Sequence, residues 1–117
     1  MMNLHGISLL SLNELFRKNW EPNSALYSDR IIALKTLHEN GCRTNVHIEP
    51  YPTPNFSEQD LEYLLKAVEF IDSIYFSSLN YNSRVSEYKN YPVFYREQAA
   101  LLKYFCTERG IQYDPGV

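Results

Sequence analysis

The chain has 117 residues, a formal net charge of −3 and a hydrophobic content of 44%. That length suits one small domain with one core, and the composition is that of a globular chain rather than a disordered one. The mild acidity gives no electrostatic reason to expect nucleic acid as a partner, and no apolar run approaches the roughly 20 residues that span a bilayer.

The opening MMNLHGISLLSLNE has neither a basic n-region nor a small-residue cleavage site, so a secretion signal is not expected. Residues 6–12, GISLLSL, read as a buried strand opened by Gly6. Residues 13–23 read as a long polar and aromatic connection (Glu14, Phe16, Arg17, Trp20, Glu21), and loops of that length are more often functional than idle. A helix from about Ala25 to Asn40 places Ile31, Leu34, Leu37 and His38 on one stripe, and Gly41 suits the left-handed position that ends it.

The second strand gives the clearest pattern. Thr44, Val46 and Ile48 alternate with Asn45, His47 and Glu49, one apolar and one polar face. Pro50, Pro52 and Pro54 then stop it, since proline has no N–H for a ladder. His47 and Glu49 share a face two residues apart, and as an acid and base pair they are candidate catalytic residues. A helix is predicted to start at Ser57, with Asp60 three residues on, and to pack Leu61, Leu64, Leu65, Val68 and Ile71 on one face. Residues 73–79, SIYFSSL, alternate again as a third strand, with Ile74 and Phe76 opposite Tyr75 and Ser77. A tyrosine-rich loop follows from Asn80 to Tyr91. Pro92 opens a helix with Leu101, Leu102 and Phe105 on its apolar side, Gly110 ends it, and residues 111–113 form a fourth, terminal strand.

The order β-α-β-α-β-α-(β) requires parallel strands and right-handed crossovers. The expected fold is α/β: half of a TIM-like (β/α) partial barrel, three to four parallel strands with helices on the outer face, spanning 1–117 as one half-barrel domain. A doubly wound sheet is the alternative, but its strands read as continuous apolar runs, and these alternate. Cys42 and Cys106 have no metal or cluster spacing and read as reduced, partly buried thiols of a cytoplasmic protein.

The run from Trp20 to Val68 resembles the C-terminal half of radical S-adenosylmethionine domains, of the spore-photoproduct-lyase-like or DNA-photolyase-like subgroup. The residues that carry the likeness are Glu21–Pro22, Arg30, Ala33–Leu34, Leu37, Gly41 and the stretch Glu49 to Pro54. GISLLSLNE resembles that family's fourth strand and IYFSSLNYN its sixth, so the likeness covers about residues 6 to 82. The resemblance implies a C-terminal fragment of a radical S-adenosylmethionine-type enzyme that lines the cofactor and substrate. Ser11, Asn13 and Glu14 at the first strand's end, with Asn80 at the third strand's end, would be its cofactor-binding residues. The family's Cys-x-x-x-Cys-x-x-Cys loop is absent. A four-iron, four-sulfur cluster, which needs clustered thiolates, is therefore not bindable by this chain alone. S-adenosylmethionine remains a possible ligand, and no resident metal is expected. The alternative function is a non-catalytic, self-associating interaction module derived from that fold. The expected partner is a second copy in a homodimer, or a chain supplying the N-terminal half. GISLLSL carries no charge or proline to blunt an open edge, and the concave face is expected to expose Leu10 and Tyr75.

Overall fold

Four short strands form one sheet: β1 (Leu4–Ser8), β2 (Arg43–Ile48), β3 (Ser73–Phe76) and β4 (Gln112–Pro115). They pair in parallel in the spatial order β1-β2-β3-β4. The computed structural model describes residues 4–48, 51–54, 58–76 and 91–115. Spatial order equals chain order, so right-handed crossovers put every connecting helix on the same side of the sheet. A doubly wound sheet needs a point where the order reverses, and this one has none. The fold is the expected partial β/α type, with the fourth strand in place.

Among the described residues the helices are α1 (Glu14–Trp20), α2 (Tyr27–Glu39), α3 (Leu61–Ala67) and α4 (Tyr91–Arg109). Val46, Ile48, Ile74 and Phe76 turn toward the helices and are buried with Leu34, Leu64, Leu65, Leu102 and Phe105. Both expected glycine stops are present. Gly41 (φ 86°) and Gly110 (φ 68°) are left-handed, and the next residue's N–H returns to the helix, Cys42 to Leu37 O at 3.1 Å and Ile111 to Cys106 O at 2.9 Å.

Several boundaries differ from expectation. β1 ends at Ser8 rather than residue 12, with Leu9 N–H to His47 O (3.0 Å) its last bond to β2. Beyond it the side chains of Ser11 and Asn13 claim the backbone: Ser11 Oγ accepts the Asn13 N–H at 3.0 Å, and local bonds of this kind compete with a ladder. Leu10 is buried in that turn, not exposed on a concave face. The stretch read as a loop holds α1, capped by Asn13, whose Oδ1 accepts from Leu15 N (2.9 Å) and Phe16 N (3.3 Å). α3 starts at Leu61, with Asp60 its N-cap, and it ends before Val68. Leu61, Leu64, Leu65, Val68 and Ile71 are nevertheless all buried, as the periodicity requires. Ser57, the expected helix start, lies outside the described residues.

Candidate functional site at the carboxyl ends of the strands

β1 and β2 both end at the same side of the sheet, and the segments that follow them build a cleft there. Its volume is about 330 Å³, and Ser11, Leu12, Asn13, Gln59, Asp60, Tyr63 and Leu64 line it. Gln59 Nε2 donates to Leu10 O at 2.7 Å and so ties the segment before α3 to the turn after β1. Ser11 is buried, and because its oxygen accepts from Asn13 its own O–H is left to donate. In the segment before α3, Asp60 Oδ1 accepts the Glu62 N–H at 3.0 Å, which leaves its second oxygen for a ligand. The turn after β1 thus brings a donor hydroxyl, and the segment before α3 a carboxylate, to the lining of one cleft.

Glu14, the third of the expected cofactor residues at this end, faces elsewhere. Its Oε1 accepts from Arg17 Nε at 2.6 Å, and its Oε2 accepts the N–H of Tyr27 at 3.0 Å. The bond to Arg17 first, then that to the Tyr27 N–H, holds the Glu14 carboxyl below its usual range. Beside it Arg30 Nη1 donates to Ser8 O at 2.9 Å and meets Glu21 Oε1 at 3.4 Å, while the Tyr27 hydroxyl donates to Glu21 Oε2 at 2.9 Å. Burial, then the Glu21 carboxylate, pushes the Tyr27 hydroxyl well above its ordinary range. The Glu21 and Arg30 of the sequence resemblance are thus one ion pair that fixes the end of β1.

The sheet face away from the helices is polar. In register across it lie Gly6, Asn45, Ser73 and Gln112, and one level nearer the carboxyl ends Ser8, His47, Tyr75 and Asp114. The His47 and Tyr75 rings are 5.4 Å apart. His47 is exposed and Tyr75 half-buried. Asn45 Nδ2 donates to Ser73 Oγ at 2.9 Å, and its buried Oδ1 has no partner among the described residues. Glu49 and Asn80 lie outside the described residues, as do residues 81–90 of the tyrosine-rich loop. The expected His47–Glu49 pair is therefore represented here by His47 alone.

Sequence reasoning missed Gln59, Asp60 and Tyr63. Asp60 was legible only as a helix cap, and the Gln59 bond to Leu10 spans 49 positions of sequence, which no local pattern encodes. It also missed Tyr51, whose ring is buried against Phe76 (5.8 Å) and Phe94 (6.1 Å) and whose carbonyl accepts the Tyr95 hydroxyl at 2.6 Å.

Cys42 adjoins the amino end of β2 and Cys106 lies within α4, both as free thiols. Among the described residues no group of three or more His, Cys, Asp or Glu is placed to hold a metal ion. No described helix is long and apolar enough to cross a membrane. Together the fold and cleft define a parallel α/β domain with a small cleft, lined by both apolar and polar side chains, at the carboxyl ends of its strands. No family model, curated protein or solved structure matches the chain.

Proposed function

We propose that this chain is the cofactor- and substrate-lining part of a radical S-adenosylmethionine-type domain, acting in the cytoplasm and inactive without a cluster-bearing set of βα units. The observation that carries the reading is the cleft that Ser11, Asn13 and Asp60 line together. Ligands of βα-repeat folds gather at the carboxyl ends of the strands. A hydroxyl, an amide and a carboxylate lining one cleft suit a zwitterion, here the amino-acid portion of S-adenosylmethionine. Its carboxylate would accept from Ser11 and Asn13, and its ammonium would face Asp60.

The residues do not fit an iron–sulfur cluster. Three thiolates are needed close together, and the chain's two cysteines sit on different elements. No step through a cluster is assigned to this chain. When bound, S-adenosylmethionine would present its sulfonium group to whatever reductant the other units hold. This chain's part is to bind and orient it, while His47 and Tyr75 on the helix-free face line the space for substrate.

Isothermal titration of the purified chain with S-adenosylmethionine tests the reading. One site per chain is expected, weakened about tenfold or more in Asp60→Asn, since loss of a charge-assisted contact is worth about 1.5–3 kcal/mol. Asn keeps the helix cap, so the variant should stay folded. Absence of saturable heat with the wild-type chain, or equal affinity in Asp60→Asn, would sink the assignment of this cleft.

A further inference from the structure

The two edges of the sheet are unequal. Because the Leu9 N–H reaches β2, the alternation of the strand turns the peptide groups of His5 and Ile7 toward β2 and those of Leu4, Gly6 and Ser8 outward. Among the described residues only Ser8 O of this outward set is engaged, by Arg30 Nη1 at 2.9 Å. At the other edge the Gln112 N–H bonds to Asp72 O at 2.9 Å, so Tyr113 and Pro115 face outward. Pro115 has no N–H, and proline is a recognised edge-blunting device. β1 carries no proline and no Asp, Glu, Lys or Arg, and its Leu4 is 60% exposed.

We propose that β1 is a self-docking edge, at which two copies of this chain pair β1 with β1 antiparallel about a two-fold axis through Gly6. β1 offers three outward N–H and three outward C=O groups, and its own copy offers the same set in reverse order. Gly6 pairs with Gly6 of the second copy, and Leu4 pairs with the second copy's Ser8. The carbonyl of Ser8 has a second lone pair, so its bond to Arg30 survives. A head-to-tail contact of β4 with β1 would match one N–H and two C=O groups against three of each, and would leave β1 groups unpaired. β1 holds no Asp, Glu, Lys or Arg, and this register sets His5 opposite the second copy's Ile7, so no like charges face each other across the axis. The contact is a five-residue strand pair, small beside a stable interface, so association is weak and rises with concentration. The inference does not depend on the cofactor reading. If both hold, the same edge cannot serve a completing βα unit and a second copy at once.

Disulfide mapping in a Cys42→Ser background tests the register. In the proposed pairing Leu4 faces Ser8 of the other copy at hydrogen-bonded-pair distance, about 5.5 Å between Cα atoms. Like positions lie about 13 Å apart, four residues of strand. A mixture of Leu4→Cys and Ser8→Cys chains should therefore form mixed disulfides that neither forms alone. In parallel, Leu4→Pro removes an outward N–H and no bond to β2, so it should remain folded by circular dichroism and be monomeric by sedimentation equilibrium. Equal cross-linking in the unmixed samples, no cross-linking at all, or a dimer that persists in Leu4→Pro would overturn the proposal.

Discussion

Glu14 caps a helix that is not its own. Its Oε2 accepts the N–H of Tyr27, the first residue of α2, at 3.0 Å, while its Oε1 holds Arg17 at 2.6 Å. α2 has Leu26 at its N-cap and no side-chain cap of its own. A free N–H at a helix start costs stability unless something accepts it, and a carboxylate there also meets the positive end of the dipole. The long connection after β1 is thereby locked to α2.

That bond makes stability depend on acid. The Glu14 carboxyl sits below its ordinary value of 4.5 in the folded chain, chiefly through Arg17 and then the Tyr27 N–H. A depressed folded value means its stabilising effect is complete above the unfolded value and is lost as the pH falls through the folded one. Urea unfolding of the wild-type chain and Glu14→Gln should differ clearly at pH 7 and converge as the pH drops below about 4. A difference that stays constant from pH 7 to pH 3 would show that the charge of Glu14 is not what caps α2.

α3 faces the core through Leu65, which is 0% exposed, and Leu64, which also lines the cleft. Leu65→Ala should cost about 2–5 kcal/mol, a large part of a total of about 5–15 kcal/mol. Chemical denaturation gives the value directly, and a loss under about 0.5 kcal/mol would mean that α3 packs on the sheet through another face. Leu64→Ala should additionally widen the cleft and alter ligand affinity.

The periodic parts of the fold were legible, and the parts held by single side chains were not. Alternation in β2, the stripe of α3 and the glycine stops after Asn40 and Arg109 each follow from a repeated local rule, and each was readable. The end of β1 was not, because the apolar run continues through Leu9 and Leu10 while the turn is imposed by Ser11 and Asn13. α1 is seven residues long and shows too little periodicity to register, although its Asn13 cap is in plain view. In the cleft, Ser11 and Asn13 were singled out only through the family resemblance. Asp60 and Gln59 come from a segment joined to them only by the folded chain.

Two glycines should respond oppositely to asparagine. Gly41 is left-handed with nothing within 4 Å of where a Cβ would stand, so Gly41→Ala should lose about 1–2 kcal/mol by backbone strain alone. Gly41→Asn should lose less, since Asn visits that region. At Gly6 a Cβ would lie 3.1 Å from Asn45 O and 3.2 Å from Asn45 Oδ1. The first is ladder backbone that cannot move freely. Gly6→Ala should cost about 1–3 kcal/mol by crowding, and Gly6→Asn should cost more. Thermal or urea melts of the four variants decide it, and a Gly6→Asn chain as stable as Gly6→Ala would mean that β1 and β2 separate easily.

Tyr51 carries a buried hydroxyl with no hydrogen-bond partner among the described residues. Burial pushes its pKa up to about 12, an effect partly offset by the Gln59 amide, which approaches the hydroxyl without meeting hydrogen-bond geometry. An unsatisfied buried hydroxyl costs about 1–3 kcal/mol. The aromatic contacts of Tyr51 with Phe76 and Phe94, and the bond from Tyr95 to its carbonyl, need no hydroxyl. Tyr51→Phe should therefore be at least as stable as the wild-type chain at pH 7, and up to about 1 kcal/mol more stable. The alkaline side gives a second reading. With the folded value raised above the unfolded 10.0, the neutral hydroxyl's stability is whole below pH 10 and is lost as the pH rises toward about 12. Burial raises Tyr27 and Tyr113 as well, so Tyr51→Phe should shrink this alkaline loss without abolishing it. A variant that unfolds more easily at pH 7, with an alkaline profile unchanged from wild type, would show that the hydroxyl is bonded in solution and that its burial is not the source of the shift.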